Sequence, residues 1–330
     1  MSTTTPPPPP PTHHHSTVTV RIPSLTFPWT LEAWVYTPQG TSLHPVVVMY
    51  APLILPTNPK LELTQRRANG LGCTKRLGLA SYAAAFAEAG YACVVFDYRR
   101  WGGSDGTPRN CVIVEEQQED YRTVVKWVRQ QALEESGFGF GFDGQRIAIW
   151  GFSFAGGHVL KLSADPTLAL RASIALNPYC GRPFPPLQLT RLYLMRFLLG
   201  ALDFAAEFLG LRPVYIPTVG PPGSLAALSA PGAEAGFVSV MKDDADFVNQ
   251  MNASIFFRAP LHSRPAEPAS LRAIAHPILL LAARGDRICP HARIIAAAEG
   301  IREGLVEVLE LDGGAFEFFL FFSFCVGYES

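Results

Sequence analysis

The chain has 330 residues, 48% of them apolar and 17% charged. A charged fraction below the ~25% usual for soluble domains, with enough apolar residues for a sizeable core, excludes disorder over most of the chain and predicts one large globular domain or two small ones. Lys and Arg total 27 against 28 Asp and Glu, with no basic run, so a binder of nucleic-acid phosphates is not expected.

Residues 1–12 read MSTTTPPPPPPT, without the cationic start or apolar stretch of a signal peptide. Residues 1–15 are therefore expected to be a disordered proline-rich leader, with His13, His14 and His15 solvated, and the chain is expected in the cytoplasm. Cys73, Cys93, Cys111, Cys180, Cys289 and Cys325 show neither CxxC spacing nor Cys/His pairing. Free buried thiols are expected, rather than a disulfide frame or a zinc site.

Strands are predicted at 18–22, 31–36, 45–49, 92–98, 146–150, 172–176, 277–282 and 305–311 from short β-branched runs. Helices are predicted at 81–89 and 291–299, and around Tyr121, Val124, Val125 and Val128, whose i, i+3, i+4, i+7 spacing makes a stripe for one sheet face. Strand–helix alternation from residue 45 onward predicts an α/β fold with a mostly parallel sheet; the first two strands, with no helix between them, predict an antiparallel edge hairpin. Residues 181–270 break the rhythm with an apolar helical stretch at 187–209, a Pro/Gly-rich run at 213–223 and a mixed segment, and are read as a cap inserted between the sixth and seventh strands, the core being 16–180 and 271–312. Arg191, Arg196, Asp203 and Glu207 interrupt the apolar stretch, so it is not read as a membrane span. Its Leu187, Leu192, Leu194, Phe197, Leu198 and Phe204 suit either the lining of an apolar acyl pocket or core packing.

The chemistry is carried by RIAIWGFSFAGG at 146–157, a β-rich run, a Gly-x-Ser-x-Ala-Gly turn and a helix-compatible stretch. A serine on such a turn has strained backbone geometry and needs small neighbours, here Gly151, Ala155 and Gly156. The following helix aims its first N–H groups at the same spot, where the Phe154 amide can stabilise an oxyanion. Ser153 is read as a nucleophile, the alternative being a structural turn.

Together with DYRRWGGSDG at 97–106 and GLGCTK at 70–75, this motif resembles the α/β-hydrolases of the serine hydrolase type, over residues 30–312. Within that superfamily the chain is similar to the subgroup containing bacterial dipeptidyl-peptidase-like or lipase-like hydrolases and the fungal polyketide transferases, in which the same serine takes an acyl group from a thioester and passes it to an alcohol. The resemblance implies an eight-stranded, mostly parallel sheet with helices on both faces and a helical cap after the sixth strand. It implies the Leu71 amide as second oxyanion donor and an acid after the seventh strand, where LLLAARGDRICP at 279–290 supplies Asp286. On the residues alone, that carboxylate could also serve as a helix cap, although Pro290 places the cap nearer Cys289.

The same resemblance implies a histidine in Gly-Gly-His-Phe after the last strand, but this chain reads Asp312-Gly-Gly-Ala-Phe316, with Ala315 at that position. His158 and His291 are expected to be structural. Losing a triad member typically costs about 10⁴–10⁶ in rate, so the chain as written is expected to be nearly inactive. Six of the nine residues 316–324 are Phe, and residues 50–68 separate the third strand from Gly70. These two segments are read as translated introns or gene-model errors, in preference to a true pseudoenzyme.

The expected function is a serine hydrolase of ester or thioester substrates working through an acyl-serine, with no metal or organic cofactor. The alternatives are an acyl (polyketide) transferase with the same nucleophile, served by an acyl carrier or polyketide synthase, and a non-catalytic binding protein or mis-spliced product; a chain unable to fold is the weakest reading.

Overall fold

The structure is a computed structural model, and the residues described are 13–40, 43–50, 74–76, 78–133, 139–181, 190–234, 237, 247–262, 268–286 and 288–312. All eight predicted strands are present as β1 (His15–Pro23), β2 (Thr30–Pro38), β3 (His44–Tyr50), β4 (Ala92–Phe96), β5 (Phe142–Phe152), β6 (Ala172–Leu176), β9 (Ile278–Ala283) and β10 (Val306–Leu311). They form one sheet in the order β1-β2-β4-β3-β5-β6-β9-β10. The β1/β2 edge hairpin is antiparallel, as is the β2/β4 pair, and every other pairing in the sheet is parallel.

Burial follows from this topology. The parallel strands β3 and β4 are covered on both faces, and their runs Val46–Val47–Val48–Met49 and Cys93–Val94–Val95–Phe96 are continuously apolar and buried. Edge strand β1 buries only Val20 and Ile22. The predicted stripe lies on α2 (Val114–Leu133), where Tyr121, Val124, Val125 and Val128 are all buried. The first predicted helix is α1 (Leu79–Glu88), starting two residues earlier than its sequence pattern; α3 (Phe154–Ser163) follows β5. Helices cover both sides of the sheet.

Between β6 and β9 the chain forms the cap: α4 (Arg191–Phe208), a two-stranded antiparallel pair β7 (Tyr215–Ile216) and β8 (Met251–Asn252), α5 (Ile255–His262) and α6 (Pro268–Arg272). Helix α7 (His291–Glu299) then connects β9 to β10. The cap docks on the loop after β4, at the carboxyl ends of the parallel strands: the Val112 N–H donates to Asn252 Oδ1 at 2.7 Å, and the Tyr215 hydroxyl donates to the Arg109 carbonyl at 2.7 Å. Ile216, Met251, Ala253 and Ile255 join the main core.

Three of the four charged residues of helix α4, Arg196, Asp203 and Glu207, bond back to the rest of the protein, and Arg191 at its first turn is exposed. Asp203 is buried and accepts the Val214 and Ser254 N–H groups at 2.8 and 2.7 Å. Arg196 donates to the Ser224 carbonyl at 2.8 Å and Ser229 Oγ at 2.6 Å, and Glu207 pairs with Arg258. Gly200 lets the helix close on α5, where a Cβ would stand 2.8 Å from the Phe257 ring. In consequence Leu194, Phe197, Leu198 and Phe204 are exposed and line no enclosed acyl pocket, with Phe197 packing only edge-on against Phe257 and Phe204 beside Arg258; Leu192 is half-buried, and Leu187 lies outside the described residues. Among the described residues, no helix is long and apolar enough to cross a membrane.

Candidate active site

Strand β5 ends at Phe152, and Ser153 turns the chain directly into α3 with φ 52° and ψ −114°, a backbone conformation unfavourable for a residue with a Cβ. The surroundings hold it there. The Ser153 N–H donates to the Leu176 carbonyl at 2.8 Å, and the Ser153 carbonyl accepts from Tyr179 at 2.7 Å and Gly157 at 3.1 Å. Gly151, Ala155 and Gly156 are small because the turn is crowded: a Cβ on Gly151 would stand 2.6 Å from the Ala155 carbonyl oxygen, and one on Gly156 2.9 Å from Pro178 Cα. Phe154 is the first residue of α3, so its amide belongs to the helix's unsatisfied N-terminal donors beside Ser153.

Ser153 is only 8% exposed, and its hydroxyl faces Cys289, with 3.7 Å between Oγ and Sγ. Cys289 is placed by Asp286, whose Oδ1 accepts the Ile288 and Cys289 N–H groups at 2.7 and 3.0 Å. The carboxylate thus fixes the turn ahead of α7, whereas the helix's own N-cap, Pro290, makes no side-chain cap bond. Asp286 is buried beside this turn, so Ser153, Cys289 and Asp286 form one continuous group.

Asn177, for which the sequence motifs gave no role, ties β6, the strand lying between those that carry Ser153 and Asp286, to β9. It is buried with φ 40°, its N–H donates to the Leu281 carbonyl at 2.8 Å, and its Oδ1 accepts the Ala283 N–H at 2.7 Å. An Asn directly after a strand tolerates left-handed backbone, which was the available signal. Cys289 was read only as a free thiol; nothing local in the sequence places it against a serine 136 residues away.

The histidines named from the sequence are elsewhere. His158 is buried on α3 with Nε2 2.9 Å from Gln117 Oε1 and its ring edge-on to Phe154, and burial pushes its pKa down to about 3. His291 contacts Glu310 Oε2 at 2.7 Å beside β10. Both have structural partners, as expected. Leu71 and Ala315 lie outside the described residues, as do residues 51–68 of the first odd segment and the Phe-rich run.

The motif at 97–106 folds into a charged clamp. Asp97 accepts the Lys75 and Gly103 N–H groups at 2.7 and 2.9 Å and pairs with Lys75 Nζ at 2.5 Å, while Lys75 Nζ reaches Glu32 at 2.6 Å. Burial works against Glu32 ionising, but the Lys75 hydrogen bond and charge outweigh it and hold the carboxyl below its usual pKa. Arg99 pairs with Asp120 through Nε at 2.7 Å. Cys93, Cys111, Cys180 and Cys289 are buried thiols outside any disulfide, and burial pushes the Cys111 and Cys180 thiols up to about 12, which leaves them unreactive. Among the described residues, no group of three His, Cys, Asp or Glu could hold a metal ion.

Comparison with known proteins agrees with this architecture. Residues 29–181 match the family described as X-Pro dipeptidyl-peptidase (S15 family). The quorum-quenching protein AidA of Acinetobacter baumannii is 29% identical over 260 residues, 78% of this chain and 76% of AidA. The polyketide transferase grgF of Penicillium sp. is 30% identical over 140 residues, 42% of this chain and 43% of grgF. The crystal structure of the α/β-hydrolase GrgF superposes with a TM-score of 0.65 at 20% identity, covering 93% of each chain. DcsB, solved with its substrate analogue, gives 0.68 at 20% identity over 91% of each chain. With an eight-stranded sheet of this order, a cap after β6 and a serine on the sharp turn between β5 and α3, the chain has the α/β-hydrolase fold.

Proposed function

We propose that the chain is an acyl-transfer enzyme in which Ser153 Oγ attacks the carbonyl carbon of a small-molecule ester or thioester. The observation that carries this reading is the backbone of Ser153: a φ of 52° maintained by three hydrogen bonds at a strand end holds a serine hydroxyl at the start of a helix. The oxyanion would face the Phe154 amide and the Leu71 amide. Loss of the alcohol or thiol then leaves an acyl-serine, which water or a second alcohol cleaves. Asp286 serves as the acid of the site. Hydrolysis is the primary reading; similarity to polyketide transferases supports transfer to an alcohol from an acyl carrier as the variant.

A second reading, a binding protein without turnover, is favoured by one observation: among the described residues, the side chain against the Ser153 hydroxyl is the Cys289 thiol and not an imidazole. A fluorophosphonate probe separates the two, because it needs only an activated serine. Covalent labelling at Ser153 that disappears in Ser153→Ala supports the enzyme. A folded protein, shown by a cooperative melt, that takes no label after prolonged exposure supports the binder.

A further inference from the structure

Helix α4 has the reverse of the polarity a surface helix normally carries. Its inward stripe is Arg196, Gly200, Asp203 and Glu207, each engaged as described above. Its outward side presents Leu194, Leu198, Leu202 and Phe208, flanked by Tyr193, Met195, Phe197, whose ring is edge-on to Phe257, and Phe204, which lies beside Arg258; all are exposed, with Leu198 at 56% and Phe208 at 87%, and the chain continues into exposed Leu209 and Leu211. At these exposures the side chains offer on the order of 1,000 Å² of apolar surface, beyond the few hundred Å² that monomers usually show in one patch and comparable to the ~800 Å² each partner contributes to a standard interface.

We propose that this face is the contact between two copies of the chain, with the two α4 helices antiparallel across a two-fold axis. The midline of the exposed face runs through Leu194, Leu198, Ala201, Ala205 and Phe208, spaced 4, 3, 4 and 3 residues as in a helix–helix seam. A two-fold axis at the level of residues 199–200 sets both leucines of this line against alanines: Leu198 against Ala201 of the copy, Leu194 against Ala205. The same two-fold axis keeps each flank of the seam on its own side, so Phe197 of one copy faces Phe204 of the other along one flank, and Met195 faces Leu202 along the opposite flank. Self-complementarity of one patch is what a two-fold interface requires, and antiparallel helices also oppose their dipoles favourably.

The same features argue against a lipid surface as occupant. An interfacial helix turns a Lys/Arg-rich polar face outward to the headgroups, whereas the charged stripe of α4 is turned into the protein, and the chain's net charge is −1.

The test is sedimentation equilibrium of the full chain between about 1 and 100 µM. The expected result is twice the chain mass at the upper concentrations, with Leu198→Glu weakening association at least tenfold while the thermal midpoint of the dissociated chain is unchanged, since Leu198 is exposed. A second variant fixes the register: Leu194→Cys with Ala205→Cys places two thiols 11 residues, roughly 16 Å, apart on one helix, too far to bond within a chain. Mild oxidation should convert it to a covalent dimer. A single-chain mass at all concentrations overturns the proposal. So does a dimer that is indifferent to Leu198→Glu and does not cross-link, or a monomer that co-sediments with phosphatidylcholine–phosphatidylserine vesicles.

Discussion

At Gly151 the space available for a side chain is set by backbone, not by a movable neighbour: the Cβ of an alanine would come within 2.6 Å of the Ala155 carbonyl oxygen and 2.9 Å of Val159 Cγ2. Relief requires β5 and α3 to separate, and the turn between them is what fixes Ser153. Gly151→Ala should therefore destabilise the protein by about 1–3 kcal/mol, the usual range for overpacking, and slow fluorophosphonate labelling of Ser153 by more than tenfold in protein that is still folded. Thermal melts and labelling time courses on the same samples check both effects. This part of the site was legible in the sequence, because the steric demands of a strand–serine–helix turn fall on positions at fixed local spacing. The contact between Cys289 and Ser153 was not, since it depends on β6 and β9 being neighbours and on the turn that Asp286 holds.

The packing of α3 against α2 makes its own demand, through the buried pair of His158 and Gln117. Burial holds His158 neutral, with a pKa of about 3 in the fold against about 6.5 in the unfolded chain. Between those values the unfolded state binds the extra proton, so the contribution to stability is complete above pH 6.5 and falls as pH drops, by up to about 1.4 kcal/mol per pH unit. His158→Gln removes the titration. Its chemical-denaturation free energy should decline less between pH 7 and 4.5 than that of the natural chain, and identical slopes would contradict the assignment. Among the elements, the eight strands of the sheet and the α2 stripe were readable because long β-branched runs and a helical apolar period leave few alternatives. The orientation of α4 was not readable: Arg196, Asp203 and Glu207 look like a solvated face until their partners at Ser224, Ser229, Val214, Ser254 and Arg258 are brought in by the rest of the cap.

Over the whole molecule, the Lys75 ammonium ties together parts of the chain distant in sequence. It is fully buried, pairs with Asp97 just beyond β4 and Glu32 on β2, and lies 5.2 Å from the centre of the Trp34 ring, while its backbone N–H also donates to Asp97. It anchors residues 74–76, just ahead of α1, to the antiparallel side of the sheet, at the carboxyl end of β4, and in the sequence it closes the motif that contains Leu71. The sequence marked both 70–75 and 97–106 as motifs, but each by resemblance alone; their direct contact through Lys75 and Asp97 appears only when β2, β4 and β3 lie side by side. The two ends of this clamp should respond unequally to mutation. Lys75→Met leaves Asp97 as a fully buried carboxylate without its cation, which typically costs about 3–5 kcal/mol. Glu32→Gln leaves the Lys75–Asp97 pair in place and removes a carboxylate whose other partner, Arg21, is half exposed, a change in the range of about 0–1 kcal/mol. Urea denaturation followed by circular dichroism measures both. If the clamp also holds the Leu71 amide in register, Lys75→Met under conditions where it is fully folded should label more slowly with a fluorophosphonate than Glu32→Gln does. Equal labelling rates would mean that Lys75 stabilises the sheet edge without positioning the oxyanion donor.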